Sequence, residues 1–312
     1  MSQKHIAIVI PFLNEEGNLP ELYRRVSAVF EKEPEEVRFV FVDDGSTDGS
    51  VQWLEKTRQN DPRVGILQLS RNFGHQIAIT AGMDYADADA VVIIDADLQD
   101  PPEAISDLLA KWREGFEVVY AVRRSREGET WIKRFLAASF YRVFRQMAKI
   151  NVPMDAGDFR LVDSRVVDAL KEVRELHRFM RGLTCWVGFR QCAVEYDRAA
   201  RLTGETKYPV WKSVRLAWDG ITSFSAKPLQ WMMNLGLLVA LISALMSIRI
   251  IWQKMSGSGD LVSGWASLSV LILFLGGVQL VALGLLGQYI SRIFDESKKR
   301  PLYIVRSGKS GH

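Results

Sequence analysis

Short apolar runs alternate, along the first two thirds of the chain, with stretches whose apolar residues recur every three or four positions. Ile6 to Ile10, Phe39 to Val42, Val64 to Leu69, Ala90 to Ile94 and Val118 to Val122 have the length and β-rich content of strands. Leu19 to Phe30, Val51 to Arg58, Ile77 to Tyr85 and Ala104 to Trp112 carry the helical period between them. The alternation predicts an α/β fold, a mainly parallel sheet with helices on both faces. Such sheets bind ligands at the carboxyl ends of their strands. Polar punctuation falls there: Pro11 to Glu16 after the first run, Asp43 to Ser46 after the second and Asp95 to Gln99 after the fourth.

The last third follows another pattern. Leu229 to Ile251 and Ala266 to Ile290 are apolar nearly throughout, without the polar stripe of a core helix, and each has the roughly 20 residues that a bilayer-crossing helix needs. Arg249 lies near the end of the first run, where a long side chain snorkels to the interface. The link from Trp252 to Gly264 is short and rich in Gly and Ser, which predicts a two-helix hairpin. Lys212, Arg215 and Lys227 precede it and Arg292, Lys298, Lys299 and Arg300 follow it, whereas the link offers Lys254 against Asp260. This asymmetry predicts a multi-pass protein of the inner (plasma) membrane whose N-terminal domain is cytoplasmic. Ile6 to Ile10 is too short for the apolar core of a signal peptide and reads as a strand.

Two further stretches alternate apolar and basic residues. Trp131 to Lys149 groups Ile132, Phe135, Leu136, Phe140, Val143, Phe144 and Met147 with five bases and no acid; Pro209 to Ser225 groups Val210, Val214, Trp218 and Ile221. Both read as interfacial helices on an anionic leaflet, or as amphipathic helices packed on the sheet. The expected organisation is therefore a catalytic domain over 1–208 that includes 131–149, a juxtamembrane helix over 209–228, the hairpin over 229–290 and a tail over 291–312 with a short strand.

Composition narrows the chemistry. A length of 312 residues suits one large domain or a domain with an appendage, and the net charge of +3 is small. Cys185 and Cys192 are the only cysteines and read as free thiols in a reducing compartment. His5, His75, His177 and His312 show no metal-binding spacing. Neither GxGxxG after the first strand nor GxxxxGK[ST] anywhere is present, which argues against a Rossmann dehydrogenase or a P-loop ATPase.

What remains is a crevice lined by carboxylates. In extended backbone Asp95, Asp97 and Gln99 point the same way and could offer oxygens to one hard cation, whose other ligands would be phosphate oxygens. The other reading is a polar turn, with Asp100 as N-cap of a helix opened by Pro101, Pro102 and Glu103. Asp43 to Asp48 reads either as a nucleoside contact or as a turn with a Ser or Thr cap.

Pro11 with Asn14-Glu15-Glu16, then Val42-Asp43-Asp44-Gly45-Ser46, then Asp95-Ala96-Asp97-Leu98-Gln99-Asp100-Pro101-Pro102, in this order, resemble the GT-A glycosyltransferases of family 2. The closer resemblance is to the polyprenyl-phosphate branch, the bactoprenol glucosyltransferases and dolichol-phosphate mannose synthases. Asp155 to Arg160, Arg201 to Tyr208, the two-helix tail and Arg300 to Val305 extend it over nearly the whole chain. The resemblance implies a GT-A fold and a donor site of Pro11, Leu13, Glu15, Asp44, Asp95, Ala96, Asp97, Arg201 and Lys207. It implies Mg2+ or Mn2+ held by Asp95, Asp97 and Gln99, an acceptor phosphate met by Arg123 and Arg134, and catalytic roles for Asp158, Asp97 and Arg201. Leu13 stands where some relatives carry Tyr. The implied partners are a nucleotide-sugar donor, a polyprenyl phosphate and the membrane, with no nucleic acid. A homotetramer is implied too, with a strand over Leu302 to Val305 pairing between subunits.

The reaction so implied moves a hexose, by preference glucose from UDP-glucose, to undecaprenyl phosphate with inversion. A phosphate monoester is largely dianionic at neutral pH and is already a nucleophile, so Asp158 is read either as a base or as a positioning residue. Mannose from GDP-mannose and a modified arabinose are alternative sugars, and a membrane-tethered sugar-nucleotide binder without turnover is an alternative class. A processive synthase is disfavoured because QxxRW is missing.

Overall fold

The structure, a computed structural model, describes residues 3–124, 156–196, 227–256, 264–309 and 311. The five expected strands form, as β1 (His5–Phe12), β2 (Glu36–Asp43), β3 (Val64–Leu69), β4 (Ala90–Ile93) and β5 (Val118–Arg123). The helices between them are α1 (Leu19–Phe30), α2 (Ser50–Asn60), α3 (His75–Tyr85) and, after a 3-10 turn over Pro102–Ala104, α4 (Ile105–Arg113). Sequence periodicity did not reveal β6 (Ala156–Asp163), α5 (Ser164–Glu172), α6 (Met180–Trp186) or β7 (Gln191–Tyr196).

The tail supplies β8 (Val305–Lys309), which lies antiparallel on β3 of the same chain. The strand expected at Leu302 to Val305 thus begins where that segment ends, and its partner is intramolecular. The eight-stranded sheet has the order β7-β5-β6-β4-β1-β2-β3-β8. β1, β2, β3 and β4 are parallel, as are β5 and β7, while β6 runs antiparallel between β4 and β5.

The central strands are buried on both faces, so they read as continuous apolar runs. Ile6, Ile8, Ile10, Phe39, Phe41 and Ile66 pack with Leu19, Leu22, Leu54, Ile105 and Leu108 of α1, α2 and α4 in one core. On the opposite face α3 lies so close to β1 and β2 that a Cβ at Gly82 would stand 2.3 Å from Val9 Cγ1 and 2.9 Å from Val42 Cγ2. Glycine there fixes the depth at which α3 sits, and with it the height of its N-terminus above the strand ends.

The chain divides into two compact units, Met1–Pro209 with Pro301–His312, and Val210–Arg300. The second contains α7 (Lys227–Met255) and α8 (Trp265–Ser297), which cover both expected apolar runs. Their most apolar windows are 0% and 6% buried, the reverse of a soluble core helix. Leu237, Leu238, Leu241, Ile272, Phe274 and Leu283 are among their exposed apolar side chains. The expected helices over 131–149 and 209–228 lie outside the described residues.

Gly82→Ala is expected to destabilise the domain by about 1–3 kcal/mol, because the methyl group has no free volume between buried valines. Urea unfolding followed by tryptophan fluorescence measures it, with Gly17→Ala, where the added atom meets nothing within 4 Å, as the reference.

Candidate active site at the strand-order reversal

Strand order runs from β1 outward through β2 to β3, and then the chain crosses back to place β4 on the other side of β1. Loops leaving β1 and β4 must therefore diverge and open a crevice. A cleft of about 280 Å³ occupies it, lined by Pro11, Phe12, Leu13, Glu15, Asp44, Asn72, Gly74, His75, Ala78, Asp95, Ala96 and Asp97. Seven residues expected from the sequence meet there: Pro11, Leu13, Glu15, Asp44, Asp95, Ala96 and Asp97.

Two of the polar motifs hold each other as well as the cleft. Asn14, at φ 57°, receives the Thr47 amide on Oδ1 at 2.8 Å and donates its own amide to Ser46 Oγ at 3.0 Å. Glu15 N donates to Ser50 Oγ at 3.1 Å, and Glu16 Oε2 accepts the Gly49 amide at 3.0 Å. Side chain to backbone bonds of this kind satisfy loops that have no ladder partner. Asp44 is buried and accepts the amides of Phe73 and Gly74 at 2.7 and 3.0 Å. Burial pushes its carboxyl above the ordinary range, against the pull of those two amides.

After β4 the backbone turns rather than continuing extended. Leu98 adopts φ 58°, a left-handed conformation uncommon outside glycine. The three-oxygen alignment read from an extended strand therefore does not form. Gln99 is buried and folds back on Asp97, its Nε2 donating to Oδ2 at 2.6 Å and its amide to Oδ1 at 3.1 Å. Asp100 likewise does not cap the helix: it is buried and accepts the Tyr196 hydroxyl, and the 3-10 turn begins without a side-chain cap.

Asp95 is the unsatisfied acid. Its side chain is 35% exposed, yet Oδ1 is buried and has no hydrogen-bond partner. Desolvation, reinforced by Asp158, Asp100 and Asp97 and opposed by His75, pushes its pKa up to about 6. An orphaned carboxylate oxygen beside a second carboxylate fits a divalent cation. No group of three or more acid, His or Cys ligands is found among the described residues, and Asp95 and Asp97 are the two carboxylates that line the cleft after β4.

Sequence reasoning set His75 aside, and the structure brings it to the centre. The first residue of α3, it places Nε2 3.4 Å from Asp95 Oδ1 and 3.4 Å from Asp158 Oδ2. No spacing motif signals this, because its partners come from β4 and β6. β6 pairs Arg160 with Ile93, and continuing that register by two residues sets Asp158 opposite Asp95. Asp158 is 7% exposed and accepts Arg181 Nε at 2.9 Å, Arg181 Nη2 at 3.3 Å and Gln76 Nε2 at 3.1 Å. Burial opposes its charge, but the bond to His75 and the cation of Arg181 hold it far below the usual carboxylate range. Burial also opposes the imidazolium of His75, and Asp158 and Asp95 outweigh it, raising its pKa.

Arg123 ends β5, and nothing further of its side chain is described. Arg134, Arg201 and Lys207 lie outside the described residues.

Residues 7–171 match the sequence model of the family named Glycosyl transferase family 2. An uncharacterized glycosyltransferase of Bacillus subtilis is 50% identical over 305 residues, covering 97% of this chain and 94% of that protein. The bactoprenol glucosyl transferase of Shigella phage SfV is 43% identical over 304 residues, covering 97% and 99%. Among solved structures, residues 1–349 of S. aureus TarS in complex with UDP-GlcNAc superpose with a TM-score of 0.48 at 18% identity, covering 72% of this chain and 68% of that one.

Folding raises the pKa of Asp95, so its contribution to stability is present below the unfolded value of about 4 and lost as pH rises through about 6. At pH 7.5 the ionised carboxylate opposes folding. Asp95→Asn is therefore expected to melt higher than the wild type without divalent cations, by about 2–4 °C for each kcal/mol recovered. Added Mn2+ should raise the melting temperature of the wild type and leave the variant unmoved. A variant that melts lower at pH 7.5 without cations would contradict this.

Proposed function

The chain belongs to glycosyl transferase family 2, and from that membership we propose that it transfers a glucosyl group from a nucleotide diphosphate to a polyprenyl phosphate at a membrane surface. The observation that carries this reading is the cleft at the β1/β4 reversal, where Asp95 stands beside Asp97 with an Oδ1 that accepts no hydrogen bond and faces the His75 imidazole at 3.4 Å. Full-length likeness to a bactoprenol glucosyl transferase supports the acceptor class and the sugar. Two exposed apolar helices of bilayer length support membrane association, as a lipid-borne acceptor requires.

In the proposed reaction a phosphate oxygen of the acceptor attacks the anomeric carbon. The bond from that carbon to the donor's β-phosphate oxygen breaks, and nucleoside diphosphate leaves on the opposite face with inversion. Asp95 and Asp97 would hold Mg2+ or Mn2+, which when bound supplies charge neutralisation for the departing diphosphate. Gln99 serves through Asp97, fixing its carboxylate by two bonds. Pro11, Leu13, Glu15 and Asp44 line the nucleoside end, Asp44 by holding the Phe73–Gly74 loop in place. Arg123, Arg134, Arg201 and Lys207 are the proposed phosphate-binding cations, arginine forks being matched to phosphate oxygens.

Asp158 is assigned to positioning. A carboxylate saturated by Arg181, Gln76 and His75, and held far below the ordinary range, is a weak proton acceptor at neutral pH. The dianionic acceptor needs none.

Purified protein incubated with undecaprenyl phosphate and a panel of UDP and GDP sugars is expected to release nucleoside diphosphate only when the lipid phosphate is present, with UDP-glucose as donor. Silence across the panel would leave a binding protein instead. Asp97→Asn should lower cation-dependent donor affinity by at least about tenfold, read by calorimetry with UDP and Mg2+.

For Asp158→Asn the rate against pH is the diagnostic. A profile of unchanged shape at reduced rate is expected, and loss of the limb that rises with pH would restore the base role.

A further inference from the structure

Residues 70 to 85 supply one wall of the cleft, through Asn72, Gly74, His75 and Ala78. Adjacent residues of the C-terminal tail hold both ends of that segment. At its start Ser70 N donates to Ile304 O at 2.8 Å, where β8 pairs with the end of β3. At its finish the Tyr303 hydroxyl donates to Asp84 Oδ2 at 2.9 Å, on a carboxylate 12% exposed that also takes Arg174 Nη1 at 2.6 Å. Gly308 of β8 leaves room for the same end of α3, since a Cβ there would lie 3.3 Å from the Tyr85 hydroxyl.

We propose that the start of the tail, Tyr303 and Ile304, is a positioning element of the donor site, acting through Ser70 and Asp84 on the seating of α3 and of the loop before it. The mechanism is geometric. α3 is a rigid rod lying directly on β1 and β2, with His75 at one end and Asp84 in its last turn. The loop ahead of it has no slack, since a Cβ at Gly45 would stand 3.0 Å from Asn72 N. Its Phe73 and Gly74 amides are committed to Asp44. Fixing Ser70 and Asp84 therefore fixes the cleft wall between them before any ligand arrives, which lowers the ordering cost of binding. The far end of β8 serves as the internal comparison. Lys309 pairs with Glu55 of α2 at 2.7 Å and touches nothing in the 70–85 segment through that bond.

The proposal rests on the donor reading of the cleft, so its test carries one readout that needs no ligand. In full-length protein in lipid nanodiscs, Tyr303→Phe is expected to speed amide hydrogen exchange across residues 71–78 and to weaken UDP binding in the presence of Mg2+ by about tenfold. The donor KM should rise similarly, with kcat at saturation and the acceptor KM kept within about twofold. Asp84→Asn should reproduce the effect, and Lys309→Gln should leave exchange and affinity unchanged. Unaltered exchange over 71–78 in Tyr303→Phe overturns the proposal. An equal effect of Lys309→Gln overturns it as well, because any weakening of the edge strand would then suffice. Wild-type protein that fails to bind UDP would sink the donor reading, and the exchange comparison alone would then decide the role of the tail.

Discussion

The reversal of strand order at β1 is the constraint on which the rest depends. Once β4 is laid on the opposite side of β1 from β2, the loops after β1 and β4 cannot cover one another. Every polar motif of the first hundred residues falls on that edge: Pro11 to Glu15 behind β1, Asp44 behind β2, Asp95 and Asp97 behind β4. β6, running antiparallel beside β4, then brings Asp158 to the same edge from the opposite chain direction. A parallel strand in its place would have delivered to the site the residues that follow it, Ser164 and Arg165, instead of those near its start.

The charges gathered at this edge are expensive to bury, and the arrangement shows where the cost is met. Asp44 takes two backbone amides, Asp97 takes two bonds from Gln99, and Asp158 takes Arg181, Gln76 and His75. A carboxylate so supplied is held in one orientation, and at Asp158 the neighbouring cations also hold the charge against burial. Asp95 differs: its buried Oδ1 accepts no hydrogen bond and has the His75 imidazole 3.4 Å away, and desolvation with three neighbouring acids outweighs that imidazole and raises its pKa to about 6. Residual strain of this kind is expected where a ligand, not the protein, completes the coordination.

The sequence made some of this legible and hid the rest for physical reasons. Strands buried on both faces leave uninterrupted apolar runs, so β1 to β5 and the helices between them could be read within a few residues. β6 and β7 could not, because they carry site and edge residues such as Asp158, Arg160 and Glu195 among their apolar positions. The acids Asp95 and Asp97 were legible as a motif, but the path of the chain between them and Gln99 was not. A non-glycine residue at φ 58° is a local cost accepted because burial of Gln99 and Asp100 fixes the turn. His75 was invisible for a different reason: its meaning lies wholly in partners distant in sequence, Asp95 and Asp158.

Membership of family 2 and the GT-A architecture give a scaffold shared by many acceptors, so the acceptor must be argued from what is attached to it. Here the attachment is a pair of long apolar helices with many exposed apolar side chains, followed in sequence by a tail that returns to the sheet as β8. In water such helices would have to be covered, and their most apolar windows are 0% and 6% buried. Lipid is a solvent in which helices of this length and apolarity carry no such cost. On the proposed reading, a domain tied by its own chain to such helices would meet a polyprenyl phosphate in two dimensions, while the nucleotide sugar arrives in three. On that reading the expensive recognition, neutralising a diphosphate, belongs to the cleft at β1 and β4, and the apolar part of the acceptor need not be bound by the sheet at all.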